Sequence, residues 1–210
     1  MRLFIIDTGS ANLNSVKQAF KRIGADAVIS SDVSELKTAD KLVLPGVGTA
    51  CAVMEGIDKY NLASFILENK KPLLGICLGM QILGTHSEET PLGSDENDVI
   101  KCLSIVDGSV HKMKADNSLR MPHMGWNTVT HTDHPLFDGI KQDAYFYFDH
   151  SFAMNEGSFT IGKTTYGETF SCAVAKDNFM GVQFHPEKSS HAGSNLLENF
   201  LKNFYDRTIL

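Results

Sequence analysis

Long hydrophobic runs are missing from this chain of 210 residues. No apolar stretch approaches the roughly 20 residues that a membrane-spanning helix requires. The start, Met1-Arg2-Leu3-Phe4-Ile5-Ile6-Asp7, is too short for a secretory leader and has no small-residue cleavage site. Cysteine is scarce as well. The four, at 51, 77, 102 and 172, have neither metal-ligand spacing nor the density of a disulfide scaffold, so a reducing cytoplasm is the expected setting. His131 and His134 have no companion ligands, and neither a metal nor another cofactor is expected. Basic clusters are lacking: 19 Lys and Arg against 25 Asp and Glu leave a net charge of −6, which argues against nucleic acid as a partner. There is no internal repeat, no low-complexity tract and no Pro/Gly/Ser linker. With 42% hydrophobic and 21% charged residues, the chain reads as a single globular domain over 1–210.

What is there centres on Pro72 to Leu83. A short apolar run, Leu73 to Ile76, stops at Cys77, with Gly75 and Gly79 two residues to either side and a helix-like run after it. This is the pattern of a strand-to-helix elbow carrying a nucleophile, cysteine here in place of serine. Glycines relieve crowding around so tight a turn, and a helix start favours a thiolate through its unpaired N–H groups and dipole. The plainer reading is a buried structural cysteine beside two packing glycines.

In chain order, Leu3–Ile6, Ala27–Ile29, Lys41–Leu44 and Leu73–Ile76 read as strands. Between the first two, Leu13, Val16, Phe20 and Ile23 recur at helical spacing until Gly24. Residues 50–69 carry a helical pattern that looks interrupted near Gly56 to Tyr60. Alternating strands and helices imply a parallel sheet, with ligands beyond the carboxyl ends of its strands. Asp7, Pro45–Thr49 and Cys77 all fall at that edge. Residues 84–98 read as a polar, acidic surface loop. From Leu103 to Gln183 short β-like runs follow: Ser104–Val106, Asn127–Thr130, Ala144–Phe148, Phe159–Thr165, Phe170–Ala175 and Met180–Phe184. These are expected to extend the same sheet with antiparallel strands. A closing helix has one apolar stripe, Leu196, Leu197, Phe200, Leu201 and Phe204, for core packing.

A second telling stretch is Gly181-Val182-Gln183-Phe184-His185-Pro186-Glu187-Lys188-Ser189. Two residues apart on extended backbone, His185 and Glu187 would face one side. An imidazole can take the proton of a thiol and return it to a leaving amine, while a carboxylate fixes its tautomer. Alone, His-Pro-Glu would read as a surface turn. Pro45-Gly46-Val47-Gly48 alone would read as an ordinary turn.

Together the three stretches resemble the class I, triad-type glutamine amidotransferases: Leu74 to Gln81 their nucleophile motif, His185-Pro186-Glu187 their histidine–glutamate motif, and Leu44 to Thr49 their oxyanion strand. Within that family, Pro-Gly-Val-Gly, Ser87-Glu88-Glu89, Met121 to Asn127, Tyr147 to Phe152 and Lys188 directly after His-Pro-Glu resemble the glutaminase subunits of imidazole glycerol phosphate synthase. The resemblance implies a three-layer, flavodoxin-like α/β fold with a mixed central sheet. It implies Cys77, His185 and Glu187 as catalytic residues, with an oxyanion hole from Leu78 and from Val47 or Gly48. Gly48, Gln81 and Ser151 would hold glutamine. Asn12, Trp126 and Lys188 would face a (β/α)8-barrel cyclase partner in a heterodimer, to which ammonia would pass. It also implies a glutaminase that stays weak until the cyclase is occupied. The sequence departs from the family pattern at Thr8 and Ala11 in the opening Asp7 to Asn12, at Asp149 where an apolar residue is usual, and at Phe152 where tyrosine is usual.

Bland readings stand beside these. A lone tryptophan is more often core than docking surface; Gln81 and Lys188 could be solvated. His123 and His150 read as satisfied structural histidines, and Cys51, Cys102 and Cys172 as inert. Competing whole-chain readings are a paralogue feeding another synthase, such as one of surface-sugar biosynthesis, an idle regulatory subunit, and a cysteine redox sensor.

Overall fold

A computed structural model describes residues 1–9, 13–91, 93–95, 98–114 and 119–204. The chain begins with β1 (Leu3–Ile6), α1 (Leu13–Arg22), β2 (Ala27–Ser30), α2 (Val33–Leu36), β3 (Lys41–Gly46), α3 (Ala50–Lys59), α4 (Leu62–Glu68), β4 (Leu73–Cys77) and the single turn α5 (Leu78–Gln81). The short strands β5 (His86–Ser87), β6 (Ile100–Lys101) and β7 (Ser109–Lys112) follow. Then come β8 (His123–His131), β9 (Ala144–His150), β10 (Phe152–Met154), β11 (Thr160–Tyr166), β12 (Glu168–Lys176), β13 (Phe179–Val182) and α6 (Ser190–Asn203).

Five strands run parallel in the order β2-β1-β3-β4-β13. From β13 the sheet continues antiparallel through β12 and β10 to β7, while β11 branches from β12 to the β8–β9 pair. The mixed sheet lies between two helical layers, because strand residues alternate faces. Leu3 and Ile5 pack with Val16 and Phe20 of α1 and with Leu196, Leu197 and Phe200 of α6. Phe4 and Ile6 pack with Val53 and Ile57 of α3 and with Leu62 and Ile66 of α4. This is the expected flavodoxin-like three-layer arrangement. Lys41, at the start of β3, is 3% exposed and ties the layers together. Its Nζ donates to the carbonyl oxygens of Phe200, at 3.0 Å, and Phe204, which α6 leaves without helical partners. Burial pushes its pKa down to about 8.

Several local expectations change. The interruption expected near Gly56 to Tyr60 falls at the end of that range: α3 runs through Gly56 to Lys59, and Tyr60 and Asn61, the latter with φ 54°, turn the chain into α4. α2, which the sequence did not mark, is a single turn capped by Asp32, whose carboxylate accepts from the Ser34 N–H at 2.7 Å. Ser104–Val106 is not a strand. Its backbone N–H groups donate to Gly84 and Leu83, so Ile105 and Val106 are apolar because they plug the core beneath α5. The expected loop 84–98 holds β5, where Ser87 is wholly buried.

Candidate active site

The register of three adjacent parallel strands assembles the site. β3 sets Gly46 opposite Cys77 on one side of β4, and β13 sets Val182 opposite Ile76 on the other. The loop after β3 and the chain after β13 therefore flank Cys77. Cys77 has φ 54° and ψ −112°, a conformation that costs a non-glycine residue energy and aims the sulfur off the end of the strand. The flanking glycines have a different cause from the expected crowding at the nucleophile. A Cβ on Gly79 would lie 1.7 Å from the Leu44 carbonyl oxygen, and one on Gly75 would lie 2.5 Å from that of Gly79. Only glycine lets α5 press this closely on β3 and β4. Since α5 has four residues, a helix dipole contributes little at Cys77.

His185 and Glu187 do face each other, though not on extended backbone: Pro186–Lys188 is a 3-10 turn. Within that turn His185 Nδ1 lies 2.8 Å from Glu187 Oε1, and their side chains are 6% and 3% exposed. The turn is clamped to β9. His185 N–H donates to the Tyr147 carbonyl at 2.8 Å, Tyr147 N–H to Ser189 Oγ at 2.9 Å, and Ser189 Oγ to the His185 carbonyl at 2.6 Å. Burial alone would lower the His185 pKa, but hydrogen bonds and charge from Cys77 and Glu187 outweigh it and raise it to about 10. With Nδ1 held by Glu187, Nε2 is the nitrogen left for the thiol, an arrangement suited to a thiolate–imidazolium pair.

A cavity of about 530 Å³ opens over Cys77. Val47, Gly48, Leu78, Gln81, Ser151 and Lys188 line it, so six of the residues singled out in the sequence meet Cys77 and His185 there, with Glu187 behind His185 and outside the lining. Gly48 has φ +96°, which suits a peptide that turns over. The N–H of Leu78, first residue of α5, is not consumed by the helix. Asp149 and Phe152, two of the four departures from the family pattern, are also in the wall. Trp126 is elsewhere: it stands on β8, 52% exposed, edge-on to Tyr147 at 6.1 Å. Asn12 lies outside the described residues. Among those residues no group of three or more His, Cys, Asp or Glu side chains is arranged to hold a metal. Among the described residues no helix is long and apolar enough to cross a membrane.

A family model, Glutamine amidotransferase class-I, matches residues 4–204. The chain belongs to this family. Relatives named imidazole glycerol phosphate synthase subunit HisH include one from Vibrio cholerae serotype O1. It is 52% identical over 94% of this chain and 97% of its own length. A relative named HisH 2 from Campylobacter jejuni is 50% identical over 97% of this chain and 99% of its own. Among solved structures, a putative GMP synthase protein from Thermoplasma acidophilum superposes with a TM-score of 0.71 at 18% identity, covering 96% of this chain and 92% of that one. PurLQS from Thermotoga maritima gives 0.70 at 16%, covering 96% and 98%. At such identities these structures speak for the fold alone.

Three features of this amidotransferase site lie in stretches the sequence singled out, but the sequence did not show that they meet at the cavity. Glu89 lines the cavity and accepts the Ala50 N–H at 2.9 Å; burial raises its pKa, opposed by that hydrogen bond. Ser87-Glu88-Glu89 resembles the family, but the stretch alone does not say which of its two carboxylates turns inward. Gln183, wholly buried, touches Cys77: its Nε2 is 3.6 Å from Cys77 Sγ. His150 lines the cavity at the head of a neutral chain. Its Nδ1 donates to the Phe152 carbonyl at 2.8 Å, and its Nε2 is 2.9 Å from Nδ1 of His123. His123 is stacked between Phe148 and Tyr166. Burial lowers the His123 pKa to about 4 and that of His150 to about 3, so both are structural and uncharged at neutral pH. The remaining thiols are muted, Cys102 pushed by burial up to about 11 and Cys172 well above its ordinary value.

Proposed function

We propose that this chain is the glutaminase subunit of an imidazole glycerol phosphate synthase, acting in histidine biosynthesis as one amidotransferase unit. The register that seats Cys77 between the Val47–Gly48 loop and the His185–Glu187 pair carries this reading. Likeness over nearly the whole chain to relatives bearing that name supports it.

Cys77 Sγ attacks the side-chain amide carbon of glutamine. The oxygen that gains charge is received by the Leu78 N–H and by an N–H of Val47 or Gly48. Preorganised donors of this kind are worth roughly 10²–10³-fold each in rate. Imidazolium Nε2 of His185 gives its proton to the amide nitrogen, the C–N bond breaks, and ammonia leaves. Water, deprotonated by His185, then hydrolyses the glutamyl thioester. Glu187 holds the imidazole by Nδ1 throughout. Gln81 spends both side-chain N–H bonds inside the protein, on the Phe152 carbonyl at 2.9 Å and Gln183 Oε1 at 2.8 Å, which leaves its oxygen to accept from the substrate. Ser151, Gly48 and the Glu89 carboxylate complete the recognition of an amino acid's polar end.

Ammonia then passes to a (β/α)8-barrel cyclase partner, which makes imidazole glycerol phosphate and an aminoimidazole carboxamide ribotide. The surface for it is the outer face of β8 and β9. Met124 pairs with Asp149, Trp126 with Tyr147 and Thr128 with Tyr145, and Met124, Trp126 and Tyr145 are 59%, 52% and 61% exposed. Exposed aromatic anchors in one patch mark partner surfaces. Lys188, its Nζ 5.3 Å above the Tyr147 ring, joins that patch to the cavity mouth. The testing experiment treats the chain, alone and with its cyclase, with a glutamine-analogue electrophile and maps the adduct by mass spectrometry. Labelling at Cys77 is expected, faster with the cyclase and its nucleotide. A label elsewhere, or none with the partner present, would overturn the mechanism.

A further inference from the structure

We propose that Gln183 is a further catalytic residue of this site, its side-chain amide donating a hydrogen bond to the Cys77 sulfur. The proposal rests on the glutaminase reading and adds to it a neutral donor on the nucleophile. The parallel register of β13 with β4 pairs Val182 with Ile76, so Gln183, the next residue, stands beside Cys77. Its side chain has no solvent access, and its Nε2 lies 3.6 Å from Sγ.

Which end of that amide faces the sulfur is decided by a chain of obligatory partners. A main-chain carbonyl oxygen can only accept. The Phe152 carbonyl accepts from His150 Nδ1 at 2.8 Å and from Gln81 Nε2 at 2.9 Å. With its nitrogen held there, Gln81 turns its other N–H toward Gln183, at 2.8 Å, and that contact requires Oε1 of Gln183 as acceptor. Gln183 is left with its NH₂ pointing at Cys77. Turning either amide over would set oxygen against oxygen or N–H against N–H in a buried site, at a cost that buried polar groups avoid. The orientation thus descends from the carbonyl adjoining Ser151, on the glutamine-binding wall, to the nucleophile.

A donor at that position helps wherever the sulfur carries charge. It stabilises the thiolate before attack. As the S–C bond forms, the electron pair moves into it and the hydrogen bond weakens. When water hydrolyses the thioester, the C–S pair returns to Sγ and the N–H receives it again. A thiolate accepts such a bond far better than a thiol does, and hydrogen bonds to charged groups are the strong ones. This donor also takes the place in which α5, a single turn, offers little dipole.

Two variants of the full chain separate this role from space-filling. Gln183→Met keeps the volume and removes the donor. Gln183→Glu keeps the shape and the acceptor for Gln81 but turns the group facing the sulfur into an oxygen. The readout is the pH dependence of iodoacetamide alkylation, followed at Cys77 by peptide mass spectrometry, beside glutaminase kinetics with the cyclase present. In Gln183→Met the alkylation midpoint is expected to move up by about one pH unit, and kcat to fall about ten-fold. Gln183→Glu moves the midpoint further and leaves KM within about two-fold, because Gln81 keeps its partner. Ammonia-dependent synthesis is unchanged in both. If Gln183→Met loses cooperative unfolding, Gln183→Glu decides alone. A midpoint and a kcat unchanged in folded variants would overturn the proposal. A wild-type chain with neither glutaminase activity nor Cys77 labelling would instead overturn the glutaminase reading.

Discussion

The parallel and antiparallel halves of the sheet solve different problems with the same backbone. In the parallel half, β1 and β4 are buried at every position, and their side chains serve the two helical layers. Only the strand ends are free, and that is where Cys77 and the Val47–Gly48 loop emerge. In the antiparallel half, β8 alternates buried and open positions along its length. Its inner face contributes His123 and Val129 to the core, and its outer face keeps Met124 and Trp126 in solvent. A strand covered on both faces can present chemistry only at its end, whereas one covered on a single face can present a surface along its length. The parallel half therefore carries the proposed nucleophile, and the antiparallel half the proposed docking face. β13, parallel to β4 and antiparallel to β12, joins them and brings Gln183 and His185 across.

This division predicts separable losses. Cys77→Ala, in the parallel half, should abolish glutamine-dependent synthesis and leave ammonia-dependent synthesis and cyclase binding intact. Loss of both syntheses together would erase the distinction. Trp126→Ala, in the antiparallel half, should do the converse. Titration calorimetry should show cyclase affinity down roughly 30-fold, the scale of an anchoring aromatic, while thermal unfolding is unchanged.

Glu187→Gln probes the junction. The raised His185 pKa means that its imidazolium proton is held up to about pH 10, so the glutaminase rate should fall on the alkaline side near that value. Replacing the carboxylate removes one of the causes that raise the pKa, and the alkaline limb should move to lower pH by roughly one unit or more. By linkage, the stability that His185 gains from its partners is full below about pH 6.5 and is lost as pH rises toward 10. Equilibrium urea unfolding of the wild type across that range should show the decline, and of Glu187→Gln a shallower one. The smallest effect belongs to Asp32→Ala, which removes the cap of α2 and touches neither the cavity lining nor the β8–β9 face. It should lower the urea midpoint slightly and change neither glutaminase rate nor cyclase affinity.

The parallel half is the more legible in the sequence because its determinants are local. Apolar runs ending in Asp7, Pro45 and Cys77 mark strands and their carboxyl ends, and Gly24 marks the end of α1. The antiparallel half is less sharply marked. Ser104–Val106 has strand-like composition, yet its backbone is bonded to the turn after α5. β5 hides in polar residues because two residues give no periodicity. At the site, Cys77, His185 and Glu187 stand out through short motifs. Gln183 lies inside the same motif as His185 and carries no local mark of its role.

By itself the sequence determined the family, the layered α/β architecture and the three stretches that meet at the cavity, because each depends on neighbours a few residues apart. Tertiary structure decided what depends on neighbours tens to a hundred residues apart. It placed Gln183 against Cys77 through the β4–β13 register. It set His185 and Glu187 on a 3-10 turn clamped to β9. It left the outer face of β8 and β9 uncovered. Register, clamping and exposure are properties of packed strands, and no window of sequence contains both partners.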